Sequence, residues 1–227
     1  MLLTGVGKPG QLGEALLRAF AERGDTVYAT GRALPDVEAL VADVRRRGGN
    51  AYAFAADLAQ EHAVGKLMAD VGVLTDGRLD VLMNAAGKFE SFGPVADGSL
   101  GAWERTFANN LTSAFLVTRG SLPMLRVAQG TIVYIASVVG LPSAPSAGMS
   151  DYAAAKAALI RLMHAVADEE QGIVRANAIA PAGIKTAAWL SVVGDTPGFV
   201  TPEEIAAKAI YLAGPESGAM TGEVVPM

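Results

Sequence analysis

Short apolar runs alternate with longer stretches of helical period along the whole chain, and this alternation limits the possible folds more than any other feature. Short runs bounded by turn residues read as buried strands, and periodic stretches between them read as covering helices. Met1–Thr4, Thr26–Thr30, Asn50–Ala55, Leu79–Met83, Thr131–Ala136, Val174–Ile179 and Glu223–Pro226 are the expected strands. Gln11–Arg23 repeats Leu12, Leu16 and Phe20 on one helical face. Further helices are expected over Pro35–Arg47, Gln60–Leu74, Trp103–Val127 (bent near Gly120 or Pro123), Asp151–Glu170, and from Pro202 with Thr201 as cap. The pattern predicts an α/β fold: a doubly wound, Rossmann-type parallel sheet of about seven strands with helices on both faces. With no repeat or linker, 227 residues read as one domain, 1–227. In such sheets ligands bind at the carboxyl ends of the strands.

Composition closes off several functions. The net charge is −5, so the basic stripe of a nucleic-acid binder is missing. The absence of cysteine removes disulfides and thiolate chemistry. His62 and His164 lack metal-ligand spacing, so no metal is expected. No leader and no apolar run of membrane length stand out, which makes a cytoplasmic location the default and a membrane partner unexpected.

Three motifs fall at the strand ends. Thr4-Gly-Val-Gly-Lys-Pro-Gly-Gln-Leu-Gly13 joins the first strand to the first helix. Its glycines suit a backbone that lets a pyrophosphate reach the helix N-terminus. The second strand ends in Gly31-Arg32, where NAD sites usually carry an acid for the ribose hydroxyls. A cation there, with Lys8, favours a 2′-phosphate and therefore NADP(H), NAD(H) being the other choice. Tyr152 and Lys156 stand four residues apart, on one helix face. A phenol near pKa 10 needs help to act as an acid–base group at neutral pH, and a neighbouring ammonium supplies part of it. Ser137 ends the fifth strand, where its hydroxyl can bond a substrate carbonyl. Asn110 is a poor residue for mid-helix and suggests a distorted turn.

Taken in order, these segments resemble the short-chain dehydrogenase/reductase family, in its short single-domain branch. The resemblance runs from Thr4 to about Val225. Asn84-Ala85-Ala86-Gly87 is similar to its Asn-Asn-Ala-Gly motif, with Ala85 for the second asparagine. Trp103 stands ahead of Asn110 at the family's spacing. Ser137 with Gly140, and Tyr152 with Lys156, match its active-site segments. Asp57-Leu58 resembles its adenine-contacting pair, and Pro181-Ala-Gly183-Ile184-Lys-Thr186 its nicotinamide-contacting segment.

The resemblance implies a tetrad of Asn110, Ser137, Tyr152 and Lys156. Ser137 would orient the substrate oxygen and Tyr152 would carry the proton. Lys156 would hold the ribose and lower the tyrosine pKa, and Asn110 would support a water-linked relay. The cofactor residues implied are Gly7, Gly10, Leu12, Gly13, Arg32, Asp57, Leu58, Asn84, Ala85, Ala86, Gly87, Tyr152, Lys156, Pro181, Gly183, Ile184 and Thr186. The glycine loop departs from the family's Thr-Gly-x-x-x-Gly-x-Gly. Gly7-x-x-Gly10-x-x-Gly13 fits better and resembles the family's longer branch, so Gly10 and Gly13 are preferred to Gly5 and Gly7. Both ends and the Ala187–Val200 substrate lid are short for the family. The expected activity is hydride transfer between nicotinamide and a carbonyl or alcohol, on an apolar small-molecule substrate. A homodimer or homotetramer is implied through the helices carrying Asn110 and Tyr152. A non-catalytic NADP(H)-binding or redox-sensing protein, and an epimerase or dehydratase, are the alternatives.

Overall fold

The computed structural model describes residues 1–90 and 92–227. Seven parallel strands form one sheet: β1 (Leu2–Thr4), β2 (Thr26–Gly31), β3 (Asn50–Ala55), β4 (Val81–Asn84), β5 (Thr131–Ile135), β6 (Arg175–Ala180) and β7 (Val224–Pro226). Their order is β3-β2-β1-β4-β5-β6-β7. The order reverses between β1 and β4, and that switch point opens a crevice at the carboxyl ends of the strands.

The helices are α1 (Leu12–Glu22), α2 (Leu34–Arg46), α3 (Glu61–Leu74), α4 (Leu100–Phe107), α5 (Ser113–Ala128), α6 (Ser150–Glu169), α7 (Ala187–Val193) and α8 (Pro202–Ala213). Each sheet face has its own apolar core. Leu16, Phe20, Val37 and Val41 pack with Ile205 and Leu212 on the α1–α2–α8 side. Val64, Leu67, Val117 and Leu125 pack with Leu159 and Met163 on the α3–α5–α6 side. Strand residues alternate between the two cores, Leu2 to one and Leu3 to the other, as the two-residue period of a strand requires. No helix among the described residues is long and apolar enough to cross a membrane.

The expected helix from Trp103 to Val127 is interrupted, but not near Gly120 or Pro123. The break is a five-residue π-helical turn, Ala108–Thr112, between α4 and α5. Asn110 Nδ2 donates to the Thr106 carbonyl at 2.9 Å, and Ser113 Oγ donates to the Asn109 carbonyl at 2.9 Å. These side chains take carbonyls that the α-helical ladder would use. Gly120 instead makes room for α3, since a Cβ on it would lie 2.7 Å from Met68 Cγ. Pro123 lies on the exposed face of α5, as does Arg119 four residues before it, on the side where solvent can reach the carbonyl that Pro123 leaves open. The Ala187–Val200 stretch, expected as a loop, begins with α7.

Candidate active site

Thr4 ties β1 to β4 at the switch point. Its Oγ1 accepts from the amides of Ala85 and Ala86, at 3.0 Å each, and donates to the Met83 carbonyl at 3.3 Å. Gly5 follows with φ +82°, and a Cβ there would meet the Ala85 carbonyl at 2.7 Å. A Cβ on Gly13 would stand 2.4 Å from the Gly5 oxygen. Gly5 and Gly13 therefore let α1 start directly against the end of β1. Space beside Gly7 is open. Gly5, which the loop spacing passed over, is needed more strictly than Gly7.

A cleft of about 920 Å³ runs over this switch point. Gly7, Lys8 and Arg32 line one part of it, Asp57 and Leu58 another, and Ala86, Gly87, Thr186 and Trp189 the rest. Arg32 and Lys8 are exposed cations. A Cβ at Gly31 would lie 1.8 Å from the Val6 carbonyl, so the position before Arg32 cannot hold an acid or any other side chain. Asp36, at the start of α2, also faces the cleft. One Asp57 oxygen accepts from the Ala59 amide at 3.1 Å.

Tyr152 and Lys156 rise from α6 beside the cleft. Lys156 is 2% exposed, its Nζ donates to the Ile135 carbonyl at 2.9 Å, and it lies 5.4 Å from the centre of the Tyr152 ring. Burial pulls its ammonium down to about 8. Burial also pushes the Tyr152 phenol up to about 12. The lowering expected from the ammonium is not seen: the phenol moves up, and its burial is the cause. Gly87 separates Asn110 from Lys156: a Cβ on it would lie 2.8 Å from Asn110 Oδ1 and 3.2 Å from Lys156 Nζ. Asn110 is buried, donates to the Lys88 carbonyl at 2.8 Å and accepts from the Lys88 amide at 3.2 Å. Ser137 Oγ donates to the Pro181 carbonyl at 3.3 Å. The turn after it presses on α6, where a Cβ on Gly140 would be 2.7 Å from the Lys156 backbone. Among the described residues no hydrogen bond joins Ser137 to Tyr152.

Several expected cofactor residues shape the cleft from behind rather than lining it. Asn84 Nδ2 turns into the core and donates to Thr118 Oγ1 at 3.1 Å, which pairs with the Tyr134 hydroxyl at 2.9 Å. Leu12 belongs to the α1 core. Gly183 lies under the Phe199 ring, and Ile184 pairs with Val200, so this segment anchors both ends of the Ala187–Val200 stretch. Thr186 lines the cleft and caps α7, accepting from the Trp189 amide at 3.2 Å.

A family model described as short chain dehydrogenase matches residues 1–195. The chain belongs to the short-chain dehydrogenase family. It is therefore a nicotinamide-dependent oxidoreductase of a family that uses NAD(H) or NADP(H). It is 31% identical to a meso-2,3-butanediol dehydrogenase of Serratia marcescens, over 100% of this chain and 92% of that one. It is 30% identical to a 3-oxoacyl-[acyl-carrier-protein] reductase of Aquifex aeolicus, over 96% and 92%. A 3-oxoacyl-[acyl-carrier protein] reductase of Brucella melitensis, solved with bound NAD, superposes with TM-score 0.87 at 30% identity, covering 100% of this chain and 88% of that one.

Within the short-chain dehydrogenase frame, Ala85 in the Asn-Ala-Ala-Gly segment contributes its amide, which any residue supplies. Sequence reasoning passed over Thr4, whose part depends on contacts 81 and 82 residues away. It also passed over Glu90, which lines the cleft with a side chain 15% exposed. Its carboxylate accepts from Lys88 Nζ at 3.0 Å and Asn109 Nδ2 at 3.2 Å.

Proposed function

We propose that this short-chain dehydrogenase is an NADP(H)-dependent carbonyl reductase or alcohol dehydrogenase with Tyr152 as its proton carrier. The observation that carries the reading is the buried Lys156 ammonium, set between Tyr152 and Gly87 beside a cleft lined by the exposed cations Lys8 and Arg32. The names of the relatives, a diol dehydrogenase and an oxoacyl reductase, support carbonyl–alcohol chemistry.

A dinucleotide suits the residues present. The cleft volume is at the upper end of the usual range for small-molecule sites, roughly 300–1,000 Å³. Space is open beside Gly7, and the wall offers Asp57, Leu58, Ala86, Gly87 and Thr186. Arg32 and Lys8, beside Gly31 where an acid has no room, favour the cofactor with the additional phosphate. When bound, the nicotinamide supplies the hydride chemistry.

This chain's residues handle the proton and the orientation. Tyr152 gives its proton to a developing alkoxide, or takes one from an alcohol. Lys156 stays cationic beside the phenol and stabilises the phenolate that remains. Ser137 gives up the Pro181 carbonyl to donate to the substrate oxygen, and Asn110 fixes the π-turn against the Lys88 backbone. The chain acts as one domain, 1–227, with Ala187–Val200 as its lid. Phe115, exposed on α5, supports a homodimer or homotetramer through α5 and α6.

The test is Tyr152→Phe, assayed by NADPH consumption with a panel of ketones and aldehydes. The rate should fall about 10²–10⁴-fold, while NADPH affinity stays within about twofold because the ring is kept. Full activity in the variant rules out Tyr152 as the proton carrier. Cofactor binding by the wild type without turnover on the panel favours a non-catalytic binding protein.

A further inference from the structure

Five aromatic rings meet where the cleft passes Tyr152. Phe89 is the hub. It stands edge-to-face on Tyr152 (5.4 Å, 89°) and on Trp189 (5.7 Å, 86°), and packs on Phe92 at 4.6 Å. Trp189 reaches Phe199 at 6.3 Å. The rings come from the segment after β4, from α6 and from the lid, and Phe89, Phe92 and Trp189 line the cleft itself.

Trp189 carries an unmet demand. Its indole Nε1 is buried and finds no acceptor among the described residues. A buried tryptophan usually bonds its N–H, and an unpaired buried donor is uncommon in native structures. The backbone of α7 is not the cause. Thr186 Oγ1 takes the Trp189 amide, and the Ala187 amide reaches the Gly10 carbonyl at 3.3 Å. A phenylalanine at 189 would fill the same aromatic contacts without leaving a donor open.

We infer that Trp189 is a substrate-binding residue that makes this a site for aryl carbonyl compounds bearing a second oxygen. Its ring, with Phe89, holds the aryl group beside Tyr152, and its indole N–H takes the second oxygen. This rests on the carbonyl–alcohol chemistry proposed above. Edge-to-face rings accept a further planar ring readily. A site built to hydrogen-bond an oxygen discriminates strongly against an analogue without it, because the donor is then left unpaired.

Three ketones separate the two parts of the claim: ethyl benzoylacetate has the aryl group and the second oxygen, propiophenone the aryl group alone, and ethyl acetoacetate the second oxygen alone. With saturating NADPH, Trp189→Phe should raise KM for ethyl benzoylacetate about tenfold, the worth of one buried hydrogen bond, with kcat nearly unchanged. KM for propiophenone should not move in Trp189→Phe but should rise in Trp189→Leu. Equal effects of Trp189→Phe on both aryl ketones, or none, overturn the assignment, as does a wild type that prefers ethyl acetoacetate.

A binding readout does not depend on turnover. The other tryptophan, Trp103, is 42% exposed and stacked on Phe107, so Trp103→Phe leaves Trp189 as the single reporter. With NADP⁺ present, ethyl benzoylacetate should shift the indole emission to the red and propiophenone should not. An unchanged spectrum, or the same shift from NADP⁺ alone, overturns the inference. A substrate-induced shift without turnover leaves Trp189 in place and rejects the carbonyl-reductase reading instead.

Discussion

At the scale of single residues, the site holds a charge where the fold would prefer none. A lysine in an unfolded chain titrates near 10.5, whereas burial brings Lys156 to about 8. Between those values the unfolded chain keeps a proton that the folded chain releases, so this group's contribution to stability rises with pH across the window. That contribution is complete above about 10.5 and lost as the pH falls through 8. At pH 7 both states are charged and the folded protein bears the full desolvation cost. Lys156→Met removes that cost and also the bond to the Ile135 carbonyl. The net gain at pH 7 should be roughly 2 kcal/mol, or about 5 °C in Tm. The gain over wild type should shrink toward pH 10.5, and reductase activity should be lost at every pH. Tyr152, raised to about 12, works in the opposite direction above pH 10, but it is common to both proteins and cancels in the difference. Thermal melts of both proteins across pH 7–10.5 test this; a variant no more stable than wild type at pH 7 removes the claim that the ammonium is held at a cost.

At the scale of elements, one side chain ties the π-turn Ala108–Thr112 to the segment after β4. Asn110 serves the Thr106 carbonyl and both polar backbone groups of Lys88. Asn110→Leu keeps the volume and strands these groups, which should cost about 2–4 kcal/mol. Urea unfolding should show a lower midpoint with an unchanged slope. A loss below about 1 kcal/mol would mean that the turn is held by its neighbours instead. The same turn shows what was legible beforehand. Mid-helix asparagine announced a distortion at Asn110, because the side chain competes with its own backbone. Its position could not be separated from Gly120 and Pro123, because what excuses them is tertiary: Met68 packing on one and solvent facing the other. Tyr152 and Lys156 were legible because four residues along a helix is a local relation. Thr4 and Gly5 were not, since their partners Ala85 and Ala86 are distant in sequence and adjacent only once β1 and β4 pair. Asn84 was legible as a motif member but not as a core residue, because the direction of its side chain depends on Thr118.

At the scale of the whole molecule, the two halves of the sheet meet at the β1–β4 switch point, and the cleft spans residues from both. Gly7 and Arg32 come from the β1–β2 side, Gly87 from the end of β4, and Thr186 from beyond β6. A ligand seated there binds only the folded arrangement and stabilises it by mass action, about 2.7 kcal/mol at a hundred times its Kd. For a chain of this size that is roughly 5–10 °C. The net charge of −5 repels a polyphosphate at long range, so preference must come from local cations. Arg32 has an open approach: no ion pair is recorded for it among the described residues, and Gly31 before it cannot carry a competing acid. NADPH should therefore raise the melting temperature several degrees more than NADH at equal concentration. Arg32→Asp should reverse the order, because a carboxylate repels the 2′-phosphate and accepts from the ribose hydroxyls of NADH. Raising the salt concentration should shrink the NADPH advantage in the wild type, since the pair sits at an exposed edge. Equal shifts from both cofactors in wild type and variant would remove Arg32 from the account of cofactor choice while leaving the cleft as the binding site; no shift from either would remove the cleft.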